Sequence, residues 1–151
     1  FIKLNLIGSG FEELLIKRKL IKEIKDRSKI SIQFLGQLNK NQILNEFKKS
    51  SFLVFSSSCE SFGITLLEKM ASSVPLACSN KSSLTEIIGK DYPYLFDPRN
   101  INSIKNALQK IIDDYETSKY FGIKNRQNSK KYNWIQISKS YHQIIHKKAF
   151  D

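Results

Sequence analysis

Two glutamates near the middle of the chain have the spacing and the surroundings of an anion-binding site. Seven residues separate Glu60 from Glu68, and an apolar stretch followed by Ser56, Ser57 and Ser58 precedes the pair. When a strand is followed by a loop of small residues and then by a helix, the backbone N–H groups of the first helical turn have no partners in the helix. These groups and the helix dipole favour an anion. The segment therefore predicts a phosphate-facing site.

Two other segments place glycine at the point where a strand ends. Gly8 and Gly10 follow the first apolar strand and precede a helical pattern, and Gly36 ends the next strand before Gln37 and Leu38. Glycine lets the backbone turn tightly and lets a ligand approach it closely. An ordinary turn explains the same pattern, so the residues alone leave both interpretations open.

The alternation of elements around these residues predicts an α/β fold with a parallel sheet and helices on both faces. Short, wholly apolar strands that contain β-branched residues are typical of a buried parallel sheet. The predicted strands are Lys3–Ile7, Ile30–Leu35, Phe52–Phe55, Pro75–Cys78 and Tyr94–Phe96. Helical periodicity predicts helices at 11–27, 41–49, 64–73, 83–89, 102–115, 117–131 and 134–148. The apolar stripe of the last helix, which begins at Trp134, is expected to pack in the core or against another domain.

The segment from Phe52 to Pro98 resembles the donor-binding half of retaining glycosyltransferases of family 4, which share a two-domain GT-B architecture. The resemblance begins with the two glutamates and covers essentially residues 3–148. It continues through Ala71-Ser72-Ser73-Val74-Pro75, Leu84-Thr85-Glu86-Ile87-Ile88-Gly89 and Leu95-Phe96-Asp97-Pro98. It implies a Rossmann-like fold in which residues 1–151 form one domain that binds a nucleotide-diphosphate sugar.

The resemblance also implies a role for each candidate residue. Glu60 would act in catalysis by positioning the donor sugar, and Glu68 would bind the nucleotide ribose, since ionised carboxylates accept hydrogen bonds from vicinal hydroxyls. The N–H groups of the segment 63–65 would face the diphosphate, and the loop 36–38 would lie beside the base. Ser61 adds a Cβ where the family usually has glycine. The donor-binding candidates are Gly8, Gly10, Gly36, Gln37, Leu38, Ser61, Phe62, Gly63, Ile64, Thr65 and Glu68.

The implied reaction is glycosyl transfer with retention of configuration, in which the site stabilises the departing diphosphate without a protein nucleophile. The implied partners are a nucleotide sugar and, through an acceptor domain, a glycan or lipid-linked acceptor. No metal or other cofactor is expected, and a cytoplasmic location is implied. The family pattern starts before residue 1, with a strand and an Arg and Lys that clamp the diphosphate. We therefore expect the 151-residue chain alone to be inactive, and two of its strands to lack a neighbour.

The net charge of +11, from 25 basic and 14 acidic residues, permits an anionic membrane, nucleic acid or a phosphorylated substrate as partner. The lysines are scattered and no nucleic-acid-binding motif accompanies them, so no nucleic acid partner is expected. Peripheral contact with the inner face of the cell membrane and plain solvation of the lysines both remain open.

The other polar residues favour structural interpretations. His142 and His146 lie one helical turn apart without a third ligand, and Cys59 and Cys78 are expected to be free thiols, so no metal site is predicted. Ser83 and Glu86 have the spacing of a capping box at a helix start. Three alternatives to a glycosyltransferase remain: an epimerase of similar architecture, a basic nucleic-acid-binding module and a non-catalytic interaction domain.

Overall fold

The computed structural model describes residues 1–23 and 28–149, leaving out the side chains of residues 21 and 147–149. Its strands are β1 (Ile2–Ile7), β2 (Ile30–Gly36), β3 (Leu53–Phe55), β4 (Leu76–Ser79) and β5 (Leu95–Phe96). Its helices are α1 (Glu13–Glu23), α2 (Lys40–Lys49), α3 (Ile64–Ala71), α4 (Leu84–Ile88), α5 (Ile101–Asp113), α6 (Tyr115–Ser129) and α7 (Trp134–Ala149). The predicted order of strands and helices is confirmed. The end of the first predicted helix, residues 24–27, lies outside the described residues.

The strands form two parallel sheets, one of β1 and β2 and one with the order β3-β4-β5. The α/β class with parallel sheets flanked by helices is confirmed. The chain divides into two compact units, residues 1–46 and residues 47–151. Within the described residues, β1 lies at an edge of the two-stranded sheet and β3 at an edge of the three-stranded sheet. This agrees with the expectation that two strands lack a neighbour.

The unit 1–46 is held together by strand pairing and polar contacts. The side chain of Asn5 donates a hydrogen bond of 2.8 Å to Glu46, and the Lys17 ammonium lies 4.9 Å from the centre of the Phe34 ring. Lys17 also forms an ion pair with Glu13 one helical turn earlier. Among residues 1–23 and 28–46, none whose side chain is described is fully buried.

The unit 47–151 contains a packed core around β4, whose four residues are all inaccessible to solvent. Leu66 and Met70 of α3 and Ile111 of α5 are also completely buried. A buried polar link supports this core, since the Tyr92 hydroxyl donates to the carbonyl of Leu76 at 2.7 Å and accepts from Asn125 at 3.1 Å. Both polar groups are thereby satisfied inside the protein, which avoids the cost of burying them unpaired.

α7 differs from the other helices of this unit because its apolar stripe faces solvent. Trp134, Tyr141 and Ile144 are all exposed in the structure. The expectation that this stripe packs in the core is therefore wrong for these residues. The alternative, packing against another domain, stays a prediction.

Candidate functional site

The start of α3 has the geometry of an anion-binding site. Gly63 caps the helix with φ of 91° and ψ of 44°, in the left-handed region that favours glycine. The first helical hydrogen bonds run from the N–H groups of Leu66 and Leu67 to the Gly63 carbonyl. The N–H groups of Ile64 and Thr65 therefore have no acceptor within the helix. Both residues are exposed, so the start of α3 lies at the protein surface.

The two glutamates lie on either side of this helix start. Glu60 is half-buried in the loop before α3, and Glu68 is half-buried on the helix. Glu68 follows Ile64 by four residues, so both occupy the same face of the helix. Leu66 and Met70 lie on the buried face of α3. The core thus fixes α3 from one side. Glu68 lies off that buried face, and the N–H groups of Ile64 and Thr65 point out of the start of the helix.

The loop that carries Glu60 rests on the start of α4. The Ser83 Oγ atom lies 3.3 Å from the Glu60 carbonyl and 3.2 Å from the Phe62 carbonyl, in hydrogen bonds that the hydroxyl donates. The expected capping box between Ser83 and Glu86 is wrong, because the Ser83 side chain makes no capping hydrogen bond to α4. The local S-x-x-E pattern does not reveal these two carbonyls, which come from a loop more than twenty residues earlier. Ser83 is therefore a candidate site residue that the sequence analysis missed.

The segment just before α4, residues 80–81, is held in place by two contacts of its own. The N–H of Asn80 donates to the Phe96 carbonyl at 2.9 Å, and Lys81 forms an ion pair of 3.2 Å with Asp97. The backbone N–H of Arg99 and then the Lys81 ammonium lower the pKa of Asp97, because both stabilise its ionised form. This half-exposed pair joins the ends of β4 and β5 at the same edge of the sheet from which the loop 56–63 leaves β3.

Lys69, the cation next to Glu68 in sequence, belongs to the interior. Its ammonium lies 4.7 Å from the centre of the Phe47 ring and 5.8 Å from that of Phe55. Burial lowers its pKa, and Glu68 and then Cys78 partly oppose this shift by favouring the charged form. Its packing against aromatic rings makes Lys69 a structural cation.

The predicted glycine sites of the unit 1–46 come together at one end of its sheet. The N–H of Gly8 donates to the Gly36 carbonyl at 2.8 Å, next to an irregularity in the pairing of β1 with β2. Both glycines have positive φ, 123° for Gly8 and 65° for Gly36. A Cβ at either position, or at Gly10, would meet nothing within 4 Å, so the backbone here is open to a ligand. Gln37 is exposed and Leu38 is half-buried.

Two properties of the described residues bear on ligands and location. No group of three or more His, Cys, Asp or Glu residues suited to a metal ion occurs in residues 1–23 and 28–149. Over the same ranges, the helices lack the combined length and apolar character of a membrane span.

Comparison with known proteins places these features in a family. The family model described as "Glycosyl transferases group 1" matches residues 2–128. An uncharacterized glycosyltransferase of Methanocaldococcus jannaschii is 31% identical over 135 residues, which cover 86% of this chain and 36% of that protein. The N-acetylgalactosamine-N,N'-diacetylbacillosaminyl-diphospho-undecaprenol 4-alpha-N-acetylgalactosaminyltransferase of Campylobacter jejuni is 30% identical over 145 residues, 91% of this chain and 37% of that protein.

Solved structures support the fold. The structure of Anabaena HepE in complex with UDP and glucose matches with a TM-score of 0.75 and 17% identity, over 95% of this chain and 40% of that one. The fold resembles that of GT-B glycosyltransferase domains. The chain spans a little over a third of the length of the two relatives described above.

Proposed function

Because the chain belongs to the group 1 glycosyl transferase family, we propose that it binds the nucleotide-diphosphate sugar donor of a retaining family 4 glycosyltransferase. The full-length protein would transfer the sugar to a glycan or to a lipid-linked acceptor. The observation that carries the proposal is the start of α3, where two N–H groups without helical acceptors follow Glu60 and precede Glu68 in the sequence. The Anabaena neighbour was solved with UDP and glucose, and the Campylobacter relative is named for an undecaprenol-linked acceptor.

Each group at this helix start has a task in the proposed reaction. The N–H groups of Ile64 and Thr65, following Gly63, would bind the diphosphate, where the positive end of the helix dipole adds to the attraction. Glu68 would accept hydrogen bonds from the ribose hydroxyls. Glu60 would position the sugar, and the neighbouring Ser61 and Phe62 would complete the loop around it. For Gly8, Gly10 and the segment 36–38, the nucleotide contacts that the family resemblance implies stay predictions.

The chemistry follows from where charge develops. As the bond between the sugar and the diphosphate breaks, negative charge grows on the departing phosphate oxygens. Fixed N–H donors aimed at those oxygens stabilise this charge without having to reorganise. In our proposal no protein nucleophile, metal ion or other cofactor takes part.

The role of Glu68 can be tested by calorimetry on the full-length protein with UDP, GDP and ADP as probes. Glu68→Ala removes one charge-assisted hydrogen bond, so we expect the preferred nucleotide to bind more weakly by about 1.5–3 kcal/mol. The matched control is Glu86→Ala, which removes an exposed carboxylate from α4 and should leave the affinity unchanged. Unchanged affinity in Glu68→Ala would contradict the ribose assignment, and failure of the wild type to bind any of the three would contradict the donor site itself.

We also propose a cytoplasmic location with peripheral contact to an anionic membrane face. The supporting observation is α1, on which Leu14 and Leu15 are exposed beside the exposed basic residues Arg18, Lys19 and Lys22. Apolar side chains next to basic ones suit an anionic lipid surface, to which each Lys or Arg contributes about 1 kcal/mol. Flotation with phosphatidylcholine vesicles that contain increasing phosphatidylserine tests this. Replacing Arg18, Lys19 and Lys22 with Gln should abolish binding, and binding indifferent to lipid charge would contradict it.

A further inference from the structure

We propose that Ser83 is a positioning residue for the proposed glycosyl transfer, because its hydroxyl fixes the loop that carries Glu60. The inference rests on the proposed function and adds to it a residue that acts on the sugar through Glu60 rather than by direct contact. Its basis is the geometry between the start of α4 and the loop 60–63.

One hydroxyl serves two carbonyls of this loop. Ser83 Oγ lies 3.3 Å from the carbonyl oxygen of Glu60 and 3.2 Å from that of Phe62. A serine hydroxyl has a single hydrogen, so the two carbonyls share it or alternate as acceptors. Both must therefore point at the same oxygen, which fixes the path of the backbone from Glu60 to Phe62. The direction of the Glu60 Cα–Cβ bond, from which the side chain extends, follows from that path.

The other end of this link is tied to the sheet. Ser82 has φ of 53°, an uncommon backbone conformation for a residue other than glycine. The N–H of Lys81 donates to the Ser79 hydroxyl at 3.2 Å, and the Lys81 side chain pairs with Asp97. The segment that presents Ser83 is thus tied to the buried strand β4 and to the end of β5.

The same helix supports the next residue of the loop by packing. A Cβ on Gly63 would lie 3.1 Å from Leu84 Cδ2 and 3.4 Å from Ile87 Cδ1, so the backbone of Gly63 rests on these buried side chains. On its outer side the loop is held by Phe62, whose ring meets that of Tyr132 edge to face at 6.1 Å. Gly63 and Phe62 are held by packing, and the Ser83 hydroxyl adds a polar contact that holds the Glu60 carbonyl.

This arrangement predicts that Ser83 affects the sugar more than the nucleotide. The N–H groups of Ile64 and Thr65 and the side chain of Glu68 lie on α3, which its own buried face holds in place. Without the hydroxyl, the loop 60–62 loosens while α3 stays where it is. A small misplacement of a positioning group lowers the rate of the chemical step, whereas contacts on a rigid helix retain their affinity.

The test compares Ser83→Ala, Ser83→Thr and the control Ser140→Ala in the full-length protein. Ser140 also donates its hydroxyl to a backbone carbonyl, that of Gln136 on α7. Two quantities are measured for each: the Kd for the nucleoside diphosphate chosen from UDP, GDP and ADP, and kcat for release of that nucleotide from its sugar conjugates. We expect Ser83→Ala to lower kcat about tenfold, the loss of roughly one hydrogen bond, while Kd changes by less than about twofold. Ser83→Thr should restore kcat, and Ser140→Ala should change neither quantity.

A double-mutant cycle with Glu60→Gln shows whether Ser83 acts through Glu60. In that background Ser83→Ala should have no further effect on kcat, because the group that it positions is already impaired. Additive effects would overturn the proposal, as would wild-type kcat in Ser83→Ala. A third outcome is that Ser83→Ala weakens nucleotide binding and lowers both kcat and the thermal unfolding midpoint, and that Ser83→Thr rescues none of them. This result would show that the role of Ser83 is purely structural and would also overturn the proposal. These outcomes leave the proposed function intact if the wild type binds and turns over a donor. If the wild type binds none of the probes, the proposed function and this inference both fall.

Discussion

The units 1–46 and 47–151 alternate strands and helices in the same way, yet they exclude water to very different degrees. In the first unit, Leu14 of α1 is 69% exposed, and an ion pair between Glu13 and Lys17 occupies the side of the helix near the Phe34 ring. In the second, Leu66 of α3 is completely buried, and so are all four residues of β4. The same type of residue on the same type of element thus has a different energetic role in each unit.

The contrast extends to the candidate site. In the unit 47–151, the N–H groups of Ile64 and Thr65 and the side chain of Glu68 belong to α3, a helix whose buried face packs in the core. In the unit 1–46, the candidates are mainly glycines whose backbones are open to solvent. A rigid base suits groups that must be held in place during a reaction. Open glycine backbone suits contacts to a flat nucleotide surface that a side chain would obstruct.

The largest expected effect tests the difference in packing directly. Leu66→Ala leaves a cavity in a buried site, so we expect the free energy of unfolding to fall by about 2–5 kcal/mol. The matched substitution Leu14→Ala removes a mostly exposed side chain, and its effect should stay within about 0.5 kcal/mol. Denaturant titration of both variants measures the difference. Equal losses would show that Leu14 is covered as fully as Leu66, and the contrast between the units would be wrong.

A smaller effect concerns glycine. A Cβ on Gly122 of α6 would lie 2.2 Å from the backbone oxygen of Ser73, a distance that no side chain can adopt without a backbone shift. We expect Gly122→Ala to lower the free energy of unfolding by about 1–3 kcal/mol through overpacking. In Gly10→Ala the new Cβ meets nothing within 4 Å, so that variant should be close to neutral. A neutral Gly122→Ala would mean that α6 packs less tightly than the structure shows.

The sequence can predict a feature when the residues that interact lie close together along the chain. Short apolar runs and helical periodicity depend on neighbouring residues, and they predicted the order of strands and helices correctly. Close packing at Gly122 depends on a backbone 49 residues earlier, and no local pattern indicates it. The stripe of α7 shows the intermediate case: periodicity predicts an apolar face but says nothing of what covers it.

The two capping patterns make the same point for the site. Asn39 and Gln42 form a reciprocal cap at the start of α2, with each side chain accepting from the other residue's N–H. Ser83 and Glu86 have the same spacing, but Ser83 turns to the loop at Glu60 instead. The Ser83 hydroxyl could form a hydrogen bond either with the start of α4 or with the loop at Glu60, and the tertiary structure decides which one forms. The glutamates could be chosen from their spacing, whereas the residue that fixes Glu60 could not.

The smallest expected effect comes from the buried Cys78 thiol and becomes measurable only at alkaline pH. Burial raises the pKa of the Cys78 thiol from its ordinary value of 9.0 to about 12, with nearby Lys69 opposing the shift. A raised pKa means that the folded protein favours the neutral thiol. This contribution to stability is complete below about pH 9 and is lost as the pH rises toward 12. At pH 10, one unit above the ordinary value, the loss should be about 1.4 kcal/mol.

We expect the difference in unfolding free energy between wild type and Cys78→Ala to shrink by this amount between pH 7 and pH 10. A constant difference for Cys78→Ala would show that water reaches β4. The contrast between the dry core of residues 47–151 and the more exposed unit 1–46 would then be wrong.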